Sequence, residues 1–225
     1  MKLKFTILST ILILALVSCK KEEDTFFDSF PKKFVYLSTH EVERSRMFTA
    51  GAEISDASII NEFTKDYDYF TIEGVEEFYK DIELNFTNAK LIEYKGPFYY
   101  LFNLLNYEKK GRRIIINTEI VWPYTGGCNN ITCKMFVWKK DSIGIRDTPY
   151  TPGGNTVYTN YIMRFEYKII NNEIHIPIVV FRYYNDNGFG YSIPAENIFK
   201  EEAIKEVMAN ERLAIKKYEV ILKEE

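Results

Sequence analysis

Histidine is nearly absent from this chain, with only His40 and His175 among 225 residues. A Ser-His-Asp hydrolase would have to use one of them, and neither lies near a G-x-S-x-G elbow. Catalytic zinc ordinarily draws on several histidines, so no metal site and no cofactor are expected. His40 stands in the polar run Thr39-His40-Glu41 and His175 points away from an apolar face, so both read as surface residues. Basic residues form no stripe with interleaved aromatics and the formal charge is −3, which argues against a nucleic-acid partner. Long apolar runs are missing too, except over 5–17, which is too short for a comfortable membrane span. Cysteine is limited to Cys19, Cys128 and Cys133.

What the chain does have begins at its N-terminus. Lys2 and Lys4 precede the apolar run, which ends in Leu16-Val17-Ser18-Cys19, the layout of a secretory signal peptide. This ending resembles the lipobox of bacterial lipoproteins. The resemblance implies a diacylglycerol on the Cys19 thiol, cleavage that removes residues 1–18, and acylation of the new amine. Lys20-Lys21-Glu22-Glu23-Asp24 resembles the acid-rich export signal of surface-exposed Bacteroidota lipoproteins, and it would also serve as a hydrophilic tether over 19–33. The implied address is the outer membrane, facing the exterior or alternatively the periplasm. Several acyl chains on one cysteine would hold the chain there firmly. Loss of Lys2 and Lys4 on cleavage takes the formal charge from −3 to −5. The remainder, 34–225, is long enough for one domain with a proper core.

An oxidising envelope permits a Cys128–Cys133 disulfide across a short Gly- and Asn-containing loop, and two free thiols are the other possibility. The mature chain reads as mainly β (α+β), an antiparallel β barrel or sandwich built from hairpins. The clearest hairpin turns at Asn171-Asn172 and sets Ile169 opposite Ile174, Tyr167 opposite Ile176, Phe165 opposite Ile178 and Met163 opposite Val180. A second is expected at Lys110-Gly111, pairing Tyr107 with Ile114 and Leu105 with Ile116. Further strands are expected over Phe34–Ser38, Asp81–Phe86, Lys90–Tyr94 and Lys134–Lys140.

Asp56 can cap a helix carrying Ile59, Ile60, Phe63 and Tyr67 on one side. The stretch from Gly51 to Phe63 is similar to uncharacterised lipoproteins of the same bacteria. A late helix is expected over Asn197–Ala209, burying Phe199, Ala203, Ile204, Val207 and Met208. The closing strand, Arg212–Lys223, changes apolar phase between Ile215 and Tyr218, so either a bulge near Lys216-Lys217 or continued helix is expected. This order of elements is similar to lipocalin-type barrels, in order alone.

Three stretches could carry chemistry. Asp66, Asp68, Glu73, Glu76 and Glu77 cluster near aromatics, and a glycoside hydrolase would need two of them close together with one desolvated. Tyr183, Tyr184, Asn185, Asp186, Asn187 and Tyr191 combine stacking faces with planar donors and acceptors, as a sugar or peptide site would, or they form a plain strand-to-helix connection. Trp122 and Tyr124 are the further aromatic candidates. Asp141-Ser142-Ile143 resembles an O-glycosylation acceptor of Bacteroidota envelope proteins. The expected function is a non-catalytic binding module for a glycan, peptide or small apolar ligand. The alternative is a structural or adhesion component that binds another protein, and a glycoside hydrolase stands third.

Overall fold

Alternating apolar residues build a sheet that closes on itself. The computed structural model describes residues 26, 28–97, 104–122, 131–147, 155–188, 190–196 and 199–225. The fold is that of Pro31–Glu225. Its strands are β1 (Lys32–Thr49), β2 (Ala52–Ile54), β3 (Glu83–Asn88), β4 (Leu91–Lys95), β5 (Leu104–Lys109) and β6 (Arg113–Trp122). They continue as β7 (Val137–Asp147), β8 (Asn155–Ile170), β9 (Glu173–Asn185), β10 (Gly190–Ala195) and β11 (Glu211–Glu224). Eight of these, β1, β3, β4, β5, β6, β8, β9 and β11, follow one another around the wall, each antiparallel to the next, and β11 returns to β1. That is an up-and-down barrel, one of the two architectures expected. The other strands are excursions from it: β2 pairs with β1, β7 with β8 and β10 with β9.

The wall is uneven. β3 and β4 have 6 and 5 residues, against 18 in β1 and 14 in β11. The helical segment between β2 and β3 packs against β1, β10 and β11. It comprises α1 (Ala57–Thr64), a 3₁₀ turn at Asp68–Phe70 and α2 (Ile72–Tyr79). From the interior face of β9, Arg182 stacks over the Phe63 and Tyr67 rings at 4.2 and 3.8 Å. From β11, Lys216 Nζ donates to the Phe70 carbonyl at 2.9 Å. Asp56 caps α1 as expected, accepting from Ser58 N at 2.8 Å and Ile59 N at 3.4 Å. Ile60 is buried by α1, whereas Ile59 faces solvent.

The interior is filled by side chains. Phe34, Phe86, Tyr79, Tyr167 and Tyr218 are all fully buried, each bringing a large ring into the core. A second apolar cluster lies on the outer face of β9 and β11, under α3 (Ile131–Phe136) and a 3₁₀ helix at Glu201–Glu206. It contains Phe48, Met135, Val179, Phe181, Tyr183, Leu213 and Ile215.

These two cores explain the phase change in β11. Its register against β9 runs unbroken from Glu211↔Asn185 to Leu222↔Ile174, so the bulge expected at Lys216-Lys217 is absent and the segment is strand. Leu213 and Ile215 face the outer cluster, while Tyr218, Val220 and Leu222 face the barrel interior. One flat strand serves two cores on opposite faces. The register shifts fall on the β1 side of the β1–β11 pair, around Leu37, Val42 and Arg44.

The hairpins need correction in detail. At Asn171-Asn172 both residues have positive φ, +52° and +64°, as a type I′ turn requires, and Ile169 pairs with Ile174. Described pairing between β8 and β9 then stops at Lys168↔His175, so Tyr167, Phe165 and Met163 do not pair with β9. The other hairpin turns one position later than expected. Lys110 and Arg113 exchange hydrogen bonds of 2.9 and 3.2 Å around Gly111-Arg112, and Gly111 takes φ +59° at the first loop position, a type II′ placement. Tyr107 therefore faces Ile116 rather than Ile114. A shift of two keeps each side chain on its expected face, and that is why the pattern could not detect it.

The remaining differences are local. Lys134–Phe136 is helix, and the strand expected there starts at Val137. The late helix is the 3₁₀ segment Glu201–Glu206, shorter than expected, and Met208 is 58% exposed.

Candidate functional site

The sequence candidates disperse. Tyr183 is 3% exposed and belongs to the outer core, its hydroxyl donating to Glu211 Oε1 at 2.6 Å. Burial pushes that phenol up to about 12. Asn185 organises a turn by accepting from Asn187 N through Oδ1 and from Gly188 N through its carbonyl. The stretch is thus a β9–β10 hairpin loop, not a strand-to-helix connection, with Asp186 and Asn187 exposed at its tip and Tyr184 half-buried. Tyr191 pairs back to Tyr183 through the backbone, and Trp122 ends β6 opposite Thr159. Cys19, Tyr124 and Cys128 lie outside the described residues, as does the side chain of Cys133, so the lipidation and disulfide expectations fall there too.

Asp66, Asp68, Glu73 and Glu77 of the acidic cluster are solvent-exposed, and Glu77 pairs with Lys80. His40 is exposed as expected. His175 is not: it is 7% exposed, with Nδ1 2.8 Å from Glu219 Oε2 and Nε2 3.8 Å from Glu173 Oε2. Among the described residues no group of three His, Cys, Asp or Glu could hold a metal ion.

Two arrangements missed at the sequence level stand out. The first is an open cleft of about 460 Å³ on the outward face of β1, β3, β4 and β5. Its lining residues Lys33, Glu83, Asn85, Glu93 and Lys95 are the outward halves of the alternations whose inward halves are Phe34, Leu84, Phe86, Ile92 and Tyr94. Lys95 contacts Glu83 at 2.7 Å, Lys33 contacts Glu83 at 3.7 Å, and Asn85 Nδ2 donates to Glu93 at 3.0 Å. The Lys95 hydrogen bond holds the Glu83 carboxyl below its usual range. Leu104, 55% exposed, supplies an apolar edge. A Cβ on Gly96 would come within 2.7 Å of the Tyr94 hydroxyl, so the glycine leaves room for that ring.

The second is a buried carboxyl in the barrel interior. Glu196, the residue after β10, is 1% exposed. Tyr94 of β4 donates to its Oε1 at 2.8 Å, and Tyr167 of β8 donates to its Oε2 at 2.8 Å. The Tyr79 hydroxyl from α2 lies near enough to favour the ionised form, though outside full hydrogen-bond geometry. Burial dominates these donors and pushes the carboxyl up to about 7. Burial also drives all three phenols well above their usual range, so they stay neutral donors. Tyr94 belongs to both arrangements, lining the cleft and reaching Glu196. No signal of period two marks Glu196, because it follows the strand that positions it. In comparisons with known proteins, the chain matches no family model, no curated protein and no solved structure.

Proposed function

We propose that this chain is an outer-membrane-anchored lipoprotein whose barrel is a non-catalytic binding module for a polar ligand, a glycan or a peptide. The anchor reading rests on the signal-peptide layout and on Cys19 in its lipobox-like context. The binding reading rests on one observation, the composition of the β3–β4 cleft. Its volume of about 460 Å³ is in the range of ligand sites. Its two cations and two carboxylates nearly cancel, so it has no reason to select an ion. Hydrogen-bonding groups beside one exposed leucine instead suit a neutral ligand rich in hydroxyls or amides. A small apolar ligand inside the barrel is disfavoured, since large rings already occupy that space.

The test screens the full chain on glycan and peptide arrays beside Leu104→Asp and Glu93→Lys variants. Binding that falls at least about tenfold in both variants supports the cleft, and binding indifferent to both contradicts it. A Cys19→Ser variant tests the anchor: loss of the lipid mass and release from the membrane fraction are expected, and retention would contradict it. A second reading, a component that docks another protein, draws on the exposed Leu37 and Val42 on β1.

A further inference from the structure

The barrel wall has a seam. Described pairing between β8 and β9 covers only Ile170↔Glu173, Ile169↔Ile174 and Lys168↔His175. Beyond that point β8 takes β7 as its neighbour and β9 takes β10, and these two are the ends of the hydrogen-bonded path of strands. Pro177 lies between His175, the last β9 residue paired to β8, and Val179, the first paired to β10. A residue with no N–H is tolerated where a strand lacks a neighbour on one side. Glu196 emerges from β10 immediately after Ala195, which pairs with Val179, and so enters the interior close to the fork.

We propose that Glu196 is a proton-operated latch on this seam, closed when neutral and released when ionised. Its carboxyl ties β10 to Tyr167 on β8 at one side of the fork and to Tyr94 on β4 across the interior. Those side-chain bonds bridge the region where β8 and β9 exchange none through their backbones. In the neutral acid one oxygen still accepts a phenol proton while the other donates to a phenol oxygen, so the tie is complete without a charge. Ionisation leaves a buried anion with phenols as its donors. Water entering through the fork relieves that charge, because beyond Lys168↔His175 no described backbone pairing between β8 and β9 has to break.

Among the described residues no cation acts on Glu196. The titratable groups facing Glu196 are Tyr79 from α2, Tyr94 from β4 and Tyr167 from β8. Tyr107 on β5 and Tyr218 on β11 are further interior phenols, and Tyr36 on β1 bonds Thr39. The described cations on the interior faces of β9 and β11 are engaged elsewhere, Arg182 over the Phe63 and Tyr67 rings and Lys216 with Glu41 of β1 at 2.8 Å.

Hydrogen exchange of the full chain, corrected for the intrinsic pH dependence of exchange, reads the latch through the β9–β10 ladder amides. Between about pH 5.5 and about pH 8.5 their protection should fall at least about tenfold in the wild type and stay within about twofold in Glu196→Gln. Equal losses in both proteins, or no loss in the wild type, would overturn the proposal. Should Glu196→Gln not fold, Tyr167→Phe takes its place: removing a donor to the ionised form should move the midpoint of the loss to higher pH. An unmoved midpoint would overturn the proposal equally.

Discussion

Two regions of the molecule each bury a glutamate against a tyrosine, and they satisfy it differently. In the outer cluster Glu211 accepts from the Tyr183 hydroxyl at 2.6 Å and from the Met208 backbone N–H at 2.8 Å. In the barrel interior Glu196 is met by tyrosine hydroxyls. The difference follows from where each sits. Glu211 opens β11, beside a turn whose backbone N–H groups are not committed to a ladder. Inside a barrel, wall N–H groups are spent on neighbouring strands, so an interior polar group depends on side chains. The outer glutamate is built into a strand start, and the inner one is a cross-tie whose strength depends on its protonation.

The largest expected effect separates the two sites directly. Glu196→Ala leaves the Tyr94 and Tyr167 hydroxyls without this acceptor inside the barrel and should cost about 4 kcal/mol in urea unfolding. Glu211→Ala should cost about 2 kcal/mol, because water can reach a strand terminus more easily. Equal costs would remove the distinction between the two sites. Next, truncation on opposite faces of β11 should cost about 3 kcal/mol at both Leu213, in the outer cluster, and Leu222, in the barrel. A near-neutral effect at either position would mean that β11 serves only one core.

The pH dependence sharpens the contrast. A carboxyl raised from 4.5 to about 7 in the folded state binds its proton more tightly there than in the unfolded chain. Its stabilising contribution is therefore full below pH 4.5 and is lost as pH rises through about 7. The loss amounts to about 3 kcal/mol. Unfolding midpoints at acidic and alkaline pH should converge in Glu196→Gln relative to the wild type, and parallel curves would sink this assignment. The smallest effect is expected at the cleft, where Leu104→Asp should change stability by less than about 0.5 kcal/mol while weakening ligand capture.

Much of the barrel was legible because period-two alternation reports faces. Phe165, Tyr167 and Ile169 turn inward, and so do Ile174, Ile176 and Ile178, as their alternation requires. That signal is blind to neighbours. It assigned β8 and β9 to each other along their length, although Pro177 marks the place where β9 changes partner. It also read two-sided burial in β11 as a bulge, because one alternating face was assumed to persist along the strand. The helix at Ile131–Phe136 escaped because a short helix that packs by tertiary contact leaves little periodic trace. The site was the least legible part. The cleft residues look like ordinary outward polar positions, and Glu196 acquires its character from Tyr79, Tyr94 and Tyr167, each distant in sequence. Tyr183, one of the candidate binding residues in the sequence, is spent on the outer core.

The most direct test is a carbon-13 titration of the Glu196 side-chain carboxyl in the full chain. A midpoint near 7, moving upward in Tyr167→Phe, is the result expected of a buried acid held by phenols. A midpoint near the ordinary 4.5, unmoved by that substitution, would mean that Glu196 is solvated and that the seam has no latch.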